Sequence, residues 1–267
     1  DGRGEFCCAR YVDSYIIHSF TDNQTLLTKT ITNGLGAQIS FQYAPITEES
    51  VCSSSNNNSY PVSGNRVPLY VVTNVVQNAN GYSENIYYRY KNPRIHLQGK
   101  GFLGFGSIEA ENYNKDRKIT TLYGYNEYYY PFIQEQKVTT RAGANVSTSV
   151  YENSYVYQGN KRVTPYIRKL TETDHLTSTV KTVDCTSTDS WGNPLTVITK
   201  YGNDLTETVT NTYLNSGTEN VWIFGLPLSQ TKRITRGSDS WIEKHTFEYN
   251  DKYLLGKSIE YTSDGTK

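Results

Sequence analysis

The sequence predicts an all-β protein: repeated antiparallel hairpins forming an extended, curved sheet. Composition is the first of three observations behind this, since 24 Tyr and 32 Thr stand against 16 Leu, 7 Ala and no Met. Thr and Tyr suit a pleated, half-buried surface, whereas Ala, Leu and Met are the residues that lose least entropy in a helix. The second is strict alternation of apolar and polar side chains in short runs, and the third is the recurrence of turn dipeptides between those runs.

Along the chain, Asp1 to Phe6 reads as the second half of an Asp/Gly-rich turn, so the sequence is expected to be an excerpt whose first 25 residues close a preceding domain. Tyr11 to Phe20 and Leu26 to Thr32 are rich in β-branched and aromatic residues and read as strands, the second leading into Asn33-Gly34, a two-residue hairpin signal. After it, Ile39, Phe41 and Tyr43 alternate with polar residues. The pattern returns 47 residues later as Asn80-Gly81 followed by Ile86, Tyr88 and Tyr90, which places the same stripe on one face of both hairpins. Between the copies, the polar run Ser53 to Pro61 is expected to be a flexible excursion.

Further on, Ser107 to Arg117 reads as a strand running into a turn, and Lys118 to Tyr130, Lys137 to Tyr157 and Leu205 to Tyr213 read as strands. A second repeat lays Asp189, Trp191 and Gly192 on Asp251, Tyr253 and the residues after it. In each copy Asp opens a turn by bonding to its own backbone, and Gly or Asn supplies the positive φ. No stretch predicts a helix.

Balanced charge excludes partners held by a general field: 26 basic and 26 acidic side chains give a net charge of zero, so neither nucleic acid nor an anionic membrane is expected as a ligand. The longest apolar segment, Val221 to Leu228, is broken by Gly225 and Pro227 and falls far short of the roughly 18–20 residues that span a bilayer. Cys7, Cys8, Cys52 and Cys185 are too sparse for a disulfide framework; separate thiols are expected, with a Cys52–Cys185 bridge as the alternative.

The run Tyr88-Arg-Tyr-Lys-Asn-Pro-Arg-Ile-His-Leu-Gln98-Gly99-Lys-Gly101-Phe102-Leu-Gly104-Phe105-Gly106 resembles the Gln-Gly-[Arg/Lys]-Gly-Phe-x-Gly-Phe signature of Rhs/YD-repeat proteins and of the B component of ABC-type insecticidal toxin complexes. Ile31 to Gly36 with Phe41 to Pro45 resembles the segment that enters the shell in that family, after a propeller whose calcium-like loops the opening DGRGEF would close. The turns at Asp189 and Asp251 are similar to degenerate YD repeats. The resemblance implies one piece of a large β-sheet cocoon around a C-terminal effector, with residues 26–170 as shell segment and 171–267 as YD repeats continuing the same sheet. It implies as partners the remaining shell and effector, on the same polypeptide or on a partner subunit, and a secreted or surface location on a bacterium. The aspartyl self-cleavage site and the effector domain of the family have no counterpart here.

Other chemistry is weighed against that frame. Gly99, Gly101 and Gly104 spell GxGxxG, but no βαβ pattern surrounds them, so they are expected to allow a bend where Phe102 and Phe105 plug the sheet interior rather than to cradle a dinucleotide. His18, His96, His175 and His245 are dispersed without metal-ligand spacing, and Asp174-His175 lacks a nucleophile elbow. Glu109 and Glu111 share a strand face, where a row of ion pairs is a better explanation than a glycosidase carboxylate pair. Tyr123, Tyr125, Tyr128, Tyr129 and Tyr130, with Tyr87, Tyr88 and Tyr90, form either cross-strand ladders or an exposed platform for sugars; the second supports a carbohydrate-binding adhesin as the alternative function. No catalytic residue, metal or cofactor is expected.

Overall fold

Alternating Tyr, Thr and Val dictate strands, and every regular element among the described residues of the computed structural model is a strand. The structure describes residues 5–10, 14–19, 27–55, 58–64, 69–160, 162–218 and 221–261. Two compact units divide the chain, 1–145 and 146–267.

In the first unit, β1 (Glu5–Arg10) and β2 (Ser14–Ser19) pair as an antiparallel two-stranded sheet. Residues 1–4, 11–13 and 20–26 of the expected opening turn and strands lie outside the described residues. A larger sheet follows, from β3 (Thr30–Thr32), β4 (Gln38–Pro45), β5 (Cys52–Ser53), β6 (Val62–Ser63), β7 (Tyr70–Ala79), β8 (Tyr82–His96), β9 (Gly101–Asn112), β10 (Arg117–Tyr125) and β11 (Pro131–Thr139). Its order is β3-β4-β7-β8-β9-β10-β11, all antiparallel.

The first half of β8 pairs with β7 and the second half with the inserted β5 and β6. Cys52 lies beside Tyr90 in a parallel pairing, a departure from the all-antiparallel expectation. This insertion makes the buried core. Ile46, Val51 and Cys52 cover Tyr90 and Phe105, with Ala44, Val71, Tyr88 and Ile108 around them. The Tyr90 hydroxyl donates to the Val72 carbonyl at 2.7 Å, and burial pushes its pKa up to about 12. Along β8, Ile86, Tyr88 and Tyr90 sit on the less exposed side, while Tyr87 and Arg89 between them are exposed, which is the one-faced stripe read from the sequence.

The polar run expected to be a flexible excursion, of which residues 56 and 57 lie outside the described residues, is instead tied to the sheet on either side of them. Ser55 donates to Asn92 Oδ1 from both its amide and its hydroxyl at 2.8 Å, and Leu97 N–H donates to the Pro61 carbonyl at 2.9 Å. Polar residues here satisfy a strand edge rather than solvent.

The second unit is a simple meander: β12 (Asn145–Tyr157), β13 (Val163–Asp174), β14 (Thr179–Thr188), β15 (Pro194–Tyr201), β16 (Leu205–Thr218), β17 (Val221–Arg236), β18 (Asp239–Tyr249) and β19 (Leu255–Tyr261), each antiparallel to the next. Register sorts its side chains into unlike faces. One row runs Tyr151, Leu170, Val183, Thr199, Glu207, Ile234, Trp241; the neighbouring row on the other face runs Val150, Thr171, Thr182, Lys200, Thr206, Thr235, Ser240. The first of these two rows is mostly apolar and the second mostly hydroxyl, while the row beside the first on the same face, Glu172, Lys181, Tyr201, Leu205, Arg236 and Asp239, carries charge.

Turn chemistry corrects three expectations. Asn80 (φ 50°) and Gly81 (φ 78°) form a two-residue turn as expected, but Asn33-Gly34 does not. There Asn33 opens a longer turn in which Gly36, not Gly34, carries the positive φ, at 81°. The device recurs at Asn126, Asp189 and Asn250. In all four turns the Oδ1 of the first residue accepts from the N–H groups two and four positions on, at 2.9–3.0 Å, and its own N–H donates to the fourth residue's carbonyl. The third residue on is left-handed: Gly36, Tyr129, Gly192 and Tyr253. Asp189 therefore superposes on Asn250 rather than Asp251, and Tyr253, at φ 58°, occupies the place of Gly192. The expected strands Lys118 to Tyr130 and Lys137 to Tyr157 are each shortened or split by such a turn, at Asn126 and at Thr140.

Candidate functional site

The signature segment forms the turn from β8 to β9. Gly99 (φ 98°), Gly101 (φ 72°) and Gly104 (φ 89°) all need the left-handed region, and a Cβ at any of them would meet nothing within 4 Å. Their requirement is backbone conformation, not crowding. Gly106 differs, because its Cβ would lie 2.9 Å from that of Asn92. Phe105 enters the core, its ring 4.6 Å from Tyr90, whereas Phe102 is 40% exposed and lies edge-on against Phe105; only one of the two expected plugs is buried.

His96 pins this turn. It is 6% exposed, and its Nδ1 accepts from the N–H groups of Gln98 (3.3 Å) and Lys100 (3.5 Å), which places the ring proton on Nε2. Its ring packs against Tyr129 at 4.3 Å, and Tyr129 against Tyr125 at 5.6 Å. Arg94 lies over the Tyr125 ring and donates to the Tyr123 carbonyl at 3.0 Å, and Lys100 lies over Tyr130. The signature and the Tyr123–Tyr130 cluster are thus one assembly. Tyr123, Tyr125, Tyr128, Tyr129 and Tyr130 are all half-buried, so they form no open platform. Sequence reasoning missed the His96 pin, because one histidine three residues before a glycine run carries no pattern of its own.

In the second unit, the Asp189 turn carries Trp191, which stacks on Phe224 at 3.7 Å, and Trp222 meets Phe224 edge-on. Asp189 Oδ2 accepts from the side-chain amides of Asn193 and Asn215 at 2.8 Å, and Asn215 Oδ1 accepts from Gly225 N–H. Partial burial raises the Asp189 pKa, but the hydrogen bonds from Asn193, Asn215 and Trp191 outweigh it and hold the carboxyl below its ordinary value. Gly192 is constrained twice over: φ is 88°, and a Cβ would lie 2.7 Å from Thr164 Cγ2.

Residues 10–129 match the family described as insecticide toxin TcdB, middle/N-terminal region. Over those residues the chain is similar to an insecticidal toxin-complex component. Among solved structures it is similar to that of TcdB2-TccC3-Cdc42, with a TM-score of 0.61 and 8% identity over 87% of this chain and 18% of that one. A second, TcdB2-TccC3, gives a TM-score of 0.58 and 8% identity over 86% of this chain and 18% of that one. At such identity the likeness is one of fold, and this chain spans under a fifth of the length of either structure's chain. No curated protein matches it.

The remaining groups of the chain are engaged in structure. Glu109 pairs with Lys118 at 2.8 Å and Glu111 with Arg141 at 3.0 Å, so the two carboxylates are the ion-pair row expected of them. Asp174 accepts from the N–H groups of Thr177 and Leu176, which hold its carboxyl below the ordinary value, and His175 Nε2 lies 2.8 Å from Thr148 Oγ1; neither faces a nucleophile through the other. Cys52 and Cys185 are not bridged to one another, so the alternative of a Cys52–Cys185 disulfide does not hold. The side chains of Cys7, Cys8 and His18 lie outside the described residues. No helix among the described residues is long and apolar enough to cross a membrane.

A cluster missed by the sequence reading lies on β18 and β19. Glu243, His245 and Glu260 bring three potential ligand atoms within 4.8 Å of one another, and His245 Nε2 is 2.8 Å from Glu243 Oε1. Its signal would have been Glu-x-His on one strand facing a carboxylate on the next, a spacing that helix-based metal motifs do not contain.

Proposed function

We propose that the chain is a noncatalytic wall segment of a bacterial, secreted or surface-displayed toxin-complex shell, which encloses or presents an effector carried on the same polypeptide or on a partner subunit. The observation that carries this reading is the pairing of the toxin-complex family match with a second-unit sheet whose neighbouring rows present unlike side chains and with a small buried interior. Only nine hydrophobic residues are buried among those described, five of them in one cluster under the insertion. Such a sheet functions by extent: backbone pairing carries it forward, and each face meets a different environment.

The signature turn and the Asx turns act as fixed corners in this reading, with the Asp189 and Asn250 turns as degenerate YD repeats. The similar structures contain TccC3 beside TcdB2, so a TccC-like chain is the partner class proposed here. Ion-paired carboxylates, a histidine spent on holding a turn and a GxGxxG with no following helix all support a structural rather than catalytic role.

Limited proteolysis of the full-length protein with its partner tests this. The effector is expected to resist protease when this segment is intact and to be digested when it is deleted; equal sensitivity in both would count against enclosure.

A further inference from the structure

A groove in the first unit is built differently from the ladders around it. It has a volume of about 450 Å³ and lies between the Tyr60 turn and the Asn126 turn, lined by Ser59, Tyr60, Tyr125, Glu127 and Tyr129 among others. That volume falls within the range of about 300–1,000 Å³ typical of small-molecule sites. Hydrogen-bonding groups make up more of its surface than carbon does.

Its aromatic walls are held in place before any ligand arrives. Tyr129 rests on buried His96, and Tyr125 rests on Tyr129 beneath Arg94. Tyr60 is 73% exposed, yet its hydroxyl accepts from Gln98 Nε2 at 2.8 Å and the backbone beside it is bonded to Leu97. Because that hydroxyl is an acceptor for Gln98, its own proton remains to donate. An exposed ring fixed at both ends forgoes little rotamer entropy when something stacks on it.

From this arrangement we propose that the groove binds a neutral pyranoside, a sugar unit at the end of an oligosaccharide. A pyranose offers a flat C–H face for the Tyr60 ring and a rim of hydroxyls for the phenol groups, Ser59 and the Gln98 amide. The lining contains one carboxylate, Glu127, and no cation, which disfavours an acidic sugar. A proline-rich peptide would use the rings but leave most of the polar lining without partners, so the sugar is the better fit. This site is independent of the wall role and could coexist with it.

Titration calorimetry on the whole chain tests it, with cellotriose, chitotriose and maltotriose as neutral probes and with sialyllactose and a decaproline peptide as competitors. At least one neutral trisaccharide is expected to bind with Kd below about 1 mM. Tyr60→Ala is expected to weaken that binding at least about tenfold without changing the melting temperature, since Tyr60 is a surface side chain. Trp222→Ala, which removes an exposed ring in the second unit, is expected to leave it unchanged. The proposal is overturned if no neutral trisaccharide binds, if sialyllactose or decaproline binds more tightly than all three, if Tyr60→Ala has no effect, or if both variants weaken binding equally.

Discussion

Gly104 stands in the middle of the signature at φ 89°, where a side chain would meet no neighbour and yet could hardly adopt the backbone. A β-branched residue in that region costs about 1–3 kcal/mol. Gly104→Val is therefore expected to lower the unfolding free energy by that amount, read as a lower urea midpoint at unchanged slope, with Gly104→Asn losing less, because Asn tolerates the left-handed region. Asp189 supplies a second residue-scale test. Its folded pKa is depressed, so its contribution is complete above the ordinary carboxylate value near 3.8 and disappears as pH falls through the lower, folded value. Asp189→Asn should keep the turn, since Asn performs the same task at Asn33, Asn126 and Asn250, but should flatten the loss of stability on acidification. Urea melts from pH 6 to pH 2.5 would show this, and an unchanged acid slope would show that the Asp189 hydrogen bonds are not what depresses its pKa.

At the scale of elements, the inserted segment from Ile46 to Cys52 at the start of β5 carries the core, and Ile46 is fully buried. Ile46→Ala is expected to cost about 2–5 kcal/mol by denaturant unfolding, more than the same change at exposed Ile39. The sequence showed the hairpins around this core far better than the core itself. Ile86, Tyr88 and Tyr90 announce a strand because they alternate, and Asn80-Gly81 announces its turn because two adjacent residues need positive φ. Ile46 and the adjacent pair Val51-Cys52 lack any period, being separated by a polar run, and their burial depends on β8 being long enough to accept a second partner. The turns were legible by type and misplaced by position. Asx turns fix the first residue and the left-handed one three later, so Asp251 next to Asn250 drew the alignment one residue off, and Tyr253 concealed a site usually filled by Gly. For the candidate site, the signature and the tyrosines were each visible, but His96, which joins them, was not, since packing between distant segments leaves no local mark. Tyr60 was hidden for the same reason.

For the molecule as a whole, zero net charge acquires a structural meaning, because many of its carboxylates are spent on cross-strand pairs such as Glu109 with Lys118 and Glu172 with Lys181. Partly exposed pairs of this kind contribute little stability each, and their main effect is to leave the sheet without a strong field of either sign. The account's central claim is that one face of the sheet meets the enclosed effector and the other meets water. Photo-crosslinking tests it most directly, with a reactive side chain placed in the full-length assembly at Val183 or at its neighbour Thr182, which lie on opposite faces of β14. The effector is expected to crosslink from position 183, in the apolar row, and not from 182. Equal crosslinking from both positions, or from neither, would contradict the claim that this sheet is a wall around a cargo.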